Sequence, residues 1–203
     1  MIPARKTPPS PERVERLRAA LARRQPDLTV VLESVRDMHN VSGILRTCDG
    51  AGVFEVHLLY TNGVFPNFHQ VGRRSSMGAR KWVEKRLHDN TAACFETLRR
   101  EGYRILASRL DDGAKELGEM DFTGPTAIIL GNEHDGVSPE AAAFADETFR
   151  IPMLGVAQSL NVSVAAGIAL YEAVRQRTAK GMYETSRLPP DVFERMMEKW
   201  KQL

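Results

Sequence analysis

From residue 28 onward, short runs rich in β-branched residues alternate with segments of helical periodicity, and this alternation admits few architectures. Leu28-Thr29-Val30-Val31-Leu32 reads as a buried strand. Residues 40–50, NVSGILRTCDG, read as a helix stopped at Gly50 or Gly52, and residues 53–60 as a second strand. Residues 81–87 form a further strand segment, followed by a helix over 91–100 that Gly102 terminates. Residues 103–108, 126–130 and 148–151 supply the remaining strands, with a polar, turn-rich stretch over 111–124. Ser138-Pro139 offers an N-cap and first turn to a helix over 140–145. Such an order predicts an α/β fold, a mostly parallel sheet with helices on both faces. Ligands bind such sheets beyond the strand carboxyl ends, which singles out the loops after Leu130 and Ile151.

The second of those loops has its own signature. Ile151-Pro152-Met153-Leu154-Gly155 is apolar, and its Pro and Gly forbid regular helix. Gln158-Ser159-Leu160-Asn161 follows with polar side chains where a helix should begin, before Val162, Ala165, Ala166, Ile168 and Ala169 supply a helical apolar face ending near Gly181. A polar cap beside an apolar loop suits a small-molecule pocket, where a few placed hydrogen-bonding groups sit among hydrophobic walls.

Charge distribution points to the partner. The chain of 203 residues carries a net charge of only +2, yet residues 1–24 hold seven basic residues against two glutamates, a local +5. A basic arm on a near-neutral body fits a polyanion, and nucleic acid leads the candidates. Val14, Leu17 and Leu21 at helical spacing bury one side of the arm and leave Arg13, Arg16, Arg23 and Arg24 for RNA. Residues 72–81, with Arg73, Arg74 and Lys81 among glycines and serines, form a second basic segment. Arg175 and Arg177, near the end of the long helix, either contact RNA or complement the helix dipole. After Pro189-Pro190, Val192, Phe193, Met196, Met197, Trp200 and Leu203 fall on one face of an amphipathic helix that packs on the body or on a second subunit. The chain thus divides into a basic arm (1–27), an α/β body (28–181) and a C-terminal helix (182–203).

Other functions lose ground on the same residues. No G-x-G-x-x-G follows a strand, and in Gly131 to Ser138 a valine, Val137, stands where a phosphate-binding loop needs lysine. Cys48 and Cys94 are far apart and the histidines lack metal-ligand spacing, so neither a metal site nor a disulfide framework is expected. That cysteine usage suits a reducing cytoplasm. No run approaches the length of a membrane span.

Three segments in order resemble the motifs of the SpoU-type RNA 2′-O-methyltransferases: Asn40-Val41-Ser42-Gly43-Ile44-Leu45-Arg46-Thr47, Leu130 to Val137, and Ile151-Pro152-Met153 through Ser159-Leu160-Asn161-Val162-Ser163. Residues 23–30 and 171–177 are similar to the branch that methylates the D-loop guanosine at tRNA position 18. The resemblance implies a homodimer that binds tRNA, a deep trefoil knot in the C-terminal part (an exception to the avoidance of threading) and S-adenosylmethionine as methyl donor. It implies cofactor contacts at Ser108, Leu110, Leu130, Gly131, Ile151, Met153 and Leu160, with Ser159 and Asn161 at the junction with substrate. Arg46 matches the family's catalytic arginine, and Asn40 and Glu133 its supporting polar residues. Gly43 and Gly50 stand where alanines are expected, and His134-Asp135 replaces a lysine-containing pair, departures that bear on substrate selectivity.

A guanidinium, with a pKa above about 12, is a poor base. Arg46 therefore either relays a proton beside a phosphate or stabilises the developing alkoxide, and energetics favour the second. Two alternatives remain: a relative acting on ribosomal RNA or another tRNA position, and a non-catalytic RNA-binding relative.

Overall fold

The computed structural model describes residues 8–61, 65 and 81–203. Among these residues seven strands form one sheet, and its strand pairings are parallel. In chain order the elements are α1 (Pro11–Ala22), β1 (Leu28–Glu33), α2 (Met38–Gly50), β2 (Glu55–Leu59), β3 (Glu84–His88), α3 (Thr91–Arg100), β4 (Arg104–Ser108) and β5 (Lys115–Glu116). They continue with β6 (Thr126–Leu130), α4 (Pro139–Ala142), β7 (Glu147–Arg150), α5 (Val162–Ala179) and α6 (Pro190–Lys201). The sheet order is β3-β2-β1-β6-β4-β7-β5. β1 and β6 are buried along their whole length, as strands covered on both sides must be. On one face α2 and α5 supply Ile44, Leu45, Ala166, Ala169 and Leu170 to a core with Val30, Leu32 and Ile128. On the other, Cys94, Phe95 and Leu98 of α3 and Ala141 of α4 pack on Val31, Ile105 and Ile129. Among the described residues no helix is long and apolar enough to cross a membrane.

Local chemistry explains where the elements begin and end. The α2 helix starts two residues before the expected Asn40, because the Asp37 side chain accepts from the His39 N–H and caps it. β2 starts at Glu55 instead of residue 53, because Val53 is spent closing the helix end: its N–H donates to the Cys48 carbonyl at 2.9 Å. Gly52 makes this corner possible with φ +78°, where a Cβ would sit 2.8 Å from the Arg23 carbonyl oxygen. α4 has four residues instead of the expected six. Its end tightens into i→i+3 bonds from Phe144 and Ala145, and Asp146 turns to accept from the Ile105 N–H at 2.7 Å. Residues 111–124 are not wholly irregular: β5 pairs with β7, and a 3₁₀ turn over Leu117–Glu119 is closed by the reciprocal Glu116 and Glu119 capping box.

Two arginines read from sequence as RNA contacts belong instead to the interior. Arg24 is 2% exposed, ion-paired with Asp49, and donates to the carbonyls of Asp49 (3.2 Å) and Val53 (3.1 Å). Its guanidinium lies 5.1 Å over the Trp200 ring, within the cluster where Leu17 and Leu21 of α1 meet Met196 and Met197 of α6. The amphipathic C-terminal helix thus finds its partner in α1. Arg177 is fully buried and donates to Asp27 Oδ1 (2.6 Å), Gln25 Oε1 (3.1 Å) and the carbonyls of Phe122, Asp27 and Gly124. Sequence alone could not separate these two from exposed arginines, since the spacing that buries them is set by tertiary contacts.

Leaving buried acceptors without their donor costs about 1 to 3 kcal/mol each. Arg177→Met is expected to lower the urea-unfolding free energy by on the order of 3 kcal/mol, because three carbonyls and Gln25 Oε1 lose their donor, while Asp27 keeps Arg187 at 2.7 Å. A loss below about 1 kcal/mol, typical of exposed pairs, would contradict the interior assignment.

Candidate active site

The carboxyl ends of β4, β6 and β7 open onto one cavity of about 610 Å³, within the range usual for small-molecule sites. Ser108, Leu110, Leu130, Gly131, Ile151, Met153 and Leu160 all line it, as do Glu133, Ser159 and Asn161. The three loops reach it from strand ends that the sheet order places side by side or one strand apart.

The loop after β6 is fixed by its own backbone. Asn132 Oδ1 accepts from the N–H groups of His134 and Asp135 at 2.8 Å each, and the Gly136 N–H returns to the Asn132 carbonyl at 3.2 Å. Gly131 is obligatory: a Cβ there would lie 1.9 Å from the carbonyl carbon of Gly136. From outside, Arg109 Nη1 donates to the Val137 carbonyl at 2.8 Å, and the buried Glu33 carboxylate accepts from the Ser138 N–H at 2.9 Å. The loop after β7 contains no regular element until Asn161, whose side chain accepts from the Ser163 N–H at 2.8 Å and caps α5.

Three predicted polar residues meet at the cavity edge. Asn161 Nδ2 donates to Asn40 Oδ1 at 3.0 Å, and Asn40 Nδ2 donates to Glu133 Oε1 at 2.8 Å. Glu133 also accepts from the backbone N–H groups of Asp37 (3.2 Å) and Arg36 (3.3 Å). Partial burial pushes its carboxyl upward, but the Asn40 donor and the backbone donors outweigh that and hold it below the ordinary glutamate value. Arg46 lies on α2 beyond Asn40, exposed, and is not among the residues lining the cavity of a single chain.

The predicted RNA-contacting residues separate into groups. Arg16 and Arg23 are exposed on and after α1, and Arg13 is half-buried. Arg175 is exposed but held to Glu172 by bonds of 2.8 and 2.9 Å. Lys81 is half-buried, while Arg73 and Arg74 lie outside the described residues. Arg24 and Arg177 are interior. Sequence reasoning missed Arg109, Asn132 and Arg150 among the cavity-lining residues. Arg109 and Arg150 could have been found, since each stands at the carboxyl end of a strand.

Comparison with known proteins agrees with this geometry. The family model described as "SpoU rRNA Methylase family" matches residues 27–171. The chain is 45% identical over 188 residues, 93% of its length and 95% of the other's, to a tRNA (guanosine(18)-2′-O)-methyltransferase of Thermus thermophilus. The crystal structure of the A. aeolicus TrmH/SpoU tRNA modifying enzyme superposes with a TM-score of 0.87 at 40% identity, over 94% of this chain and 95% of that one. An AdoMet-bound rRNA methyltransferase from Sinorhizobium meliloti matches with a TM-score of 0.68 at 30% identity, over 78% of this chain and 59% of that one. By its motifs, its sheet order and the family model that spans most of its length, the chain belongs to the SpoU methylase family of the SPOUT superfamily, in the TrmH-like branch.

Proposed function

We propose that this protein methylates the ribose 2′-oxygen of the D-loop guanosine at position 18 of tRNA, with S-adenosylmethionine as donor and as a homodimer. The observation that carries the reading is the single cavity at the ends of β4, β6 and β7, edged by the Asn40, Glu133 and Asn161 chain of hydrogen bonds. The residues fit the donor: Leu110, Leu130, Ile151, Met153 and Leu160 supply apolar walls for an adenosyl group and its thioether arm, while loop backbone groups and Ser108 supply polar contacts. The donor brings a sulfonium-activated methyl; the protein's task is alignment with the incoming hydroxyl. Two relatives that match along more than nine tenths of both chains support tRNA over ribosomal RNA as substrate.

The chain's own groups divide the remaining work. Asn161 and Asn40 hold the α5 start against the α2 start, so the loop that carries Ser159 and Leu160 stays at the cavity rim. Glu133, ionised, fixes the α2 entry through the Arg36 and Asp37 amides. Arg46 stabilises the negative charge that grows on the ribose oxygen. A dimer in which Arg46 approaches the partner's cavity belongs to the same proposal. The same reading is supported by Val164, Ile168 and Tyr171, 49%, 40% and 56% exposed, which form an apolar stripe along α5. The trefoil knot of the family belongs to this proposal.

Incubation with methyl-labelled S-adenosylmethionine and unmodified tRNA, followed by mapping, is expected to place label on the 2′-oxygen of the D-loop guanosine; label on a base or on ribosomal RNA alone would overturn the reading. Arg46→Lys is expected to retain donor binding by equilibrium dialysis and lose turnover, and undiminished turnover would remove any guanidinium-specific role. Neutralising Arg16 and Arg23 together is expected to lower the salt slope of tRNA binding by roughly 1.4 to 1.8, at about 0.7 to 0.9 per phosphate contact. An unchanged slope would make the arm structural.

A further inference from the structure

β2 and β3 lie side by side at one edge of the sheet, and each sends a histidine to the face covered by α3. His57 pairs with Arg86 and His88 with Leu59, two positions along the ladder, so strand alternation puts both histidines on the same side. Their rings stack with centroids 5.0 Å apart and planes 10° from parallel, and His57 Nδ1 stands 2.9 Å from His88 Nε2. Cys94 on α3 supplies the third corner. One ring nitrogen from each histidine and the Cys94 Sγ all lie within 4.8 Å of one another. His57 is 1% exposed, Cys94 is fully buried and His88 is half-buried. No residue of this cluster lines the cavity at the strand carboxyl ends, and α2 and α5 pack on the opposite face.

Two imidazoles and a thiolate are the donor set of a borderline-soft ion. Zinc bonds of about 2.0 to 2.1 Å to nitrogen and about 2.3 Å to sulfur hold tetrahedral ligands roughly 3.3 to 3.6 Å apart. The nitrogen pair must open slightly from 2.9 Å, and the sulfur, within 4.8 Å of both nitrogens, reaches that spacing by side-chain adjustment. The Glu55 carboxylate lies 3.9 Å from His57 Nε2, on the far side of the ring from His88. At that distance Glu55 is a charged neighbour of the ring and not its hydrogen-bond acceptor. Glu55 is itself held at 2.8 Å by Arg86, which also pairs with Glu101 at 2.7 Å.

We propose that His57, His88 and Cys94 form a tetrahedral site for a zinc-like divalent cation, with water in the fourth position on the half-exposed side of His88. Binding releases the Cys94 thiol proton to solvent, and the resulting thiolate with the adjacent Glu55 carboxylate balances the charge of the ion. The site ties the edge strand β3 to β2 and α3. It does so without touching the methyl-transfer site.

The test uses the full chain, stripped with a chelator and titrated with Co²⁺ as the probe, with Zn²⁺ as competitor. One equivalent is expected to give a thiolate-to-cobalt charge-transfer band and the visible bands of a tetrahedral ion, both abolished by Zn²⁺. Cys94→Ser is expected to lose the charge-transfer band, and Cys48→Ala to keep it. His88→Gln, at a half-exposed position, decides the matter if Cys94→Ser does not fold: its circular dichroism should be native and its affinity at least about tenfold lower. Absence of cobalt uptake by the native chain would show a hydrogen-bonded pair of neutral imidazoles and nothing more. Uptake at undiminished affinity in His88→Gln, or a charge-transfer band that persists in Cys94→Ser, would place the ion elsewhere. Either result overturns the proposal.

Discussion

One chain of hydrogen bonds, from Asn161 through Asn40 to Glu133, joins three parts of the sequence that are otherwise far apart. Each member does local work as well. Asn161 caps α5, Asn40 sits in the first turn of α2, and Glu133 lies in the loop after β6. Because every side chain serves both its own element and its neighbour's, the loops around the cavity share one geometry and cannot shift independently. Preorganised polar groups of this kind are where a transferase obtains most of its advantage, since no reorganisation is needed when charge develops.

The rest of the molecule keeps those loops in place from behind. A parallel sheet with both faces covered gives three adjacent strands whose carboxyl ends point the same way. At the opposite end of the central strands, Arg177 gathers Asp27, Gln25 and the carbonyls of Phe122 and Gly124, joining the end of α5 to the approaches of β1 and β6. Arg24 does comparable work between α1, the end of α2 and Trp200. α5 is thus fastened at both ends, by Asn161 at the cavity and by Arg177 at the base. A cation with several well-placed acceptors is tolerated in the interior where a lone one is not.

Much of this was legible in the sequence because the signals were local. Strand and helix alternate visibly, Ser138-Pro139 caps α4, and the Gly, Asn and Glu of the loop after β6 and the Ser-Leu-Asn before α5 stand in the order their resemblance implies. What was not legible depends on contacts across long sequence distances. Arg24 and Arg177 share their composition and spacing with surface arginines, and only the packing of α1 on α6, or of α5 on Asp27, distinguishes them. Likewise His57, His88 and Cys94 have no ligand spacing along the chain; a parallel ladder and the helix over it bring them together. The lesson is physical: caps and turns announce themselves, whereas partners of buried charges do not.

The central claim is that the cavity at the ends of β4, β6 and β7 holds the methyl donor. Photo-cross-linking of radiolabelled S-adenosylmethionine to the full chain, followed by peptide mapping, tests it most directly. Label is expected on peptides containing residues 108–110, 130–137 and 151–161, and excess unlabelled S-adenosylhomocysteine should suppress it. Suppressible label confined to peptides outside those loops, or none at all at saturating donor, would contradict it.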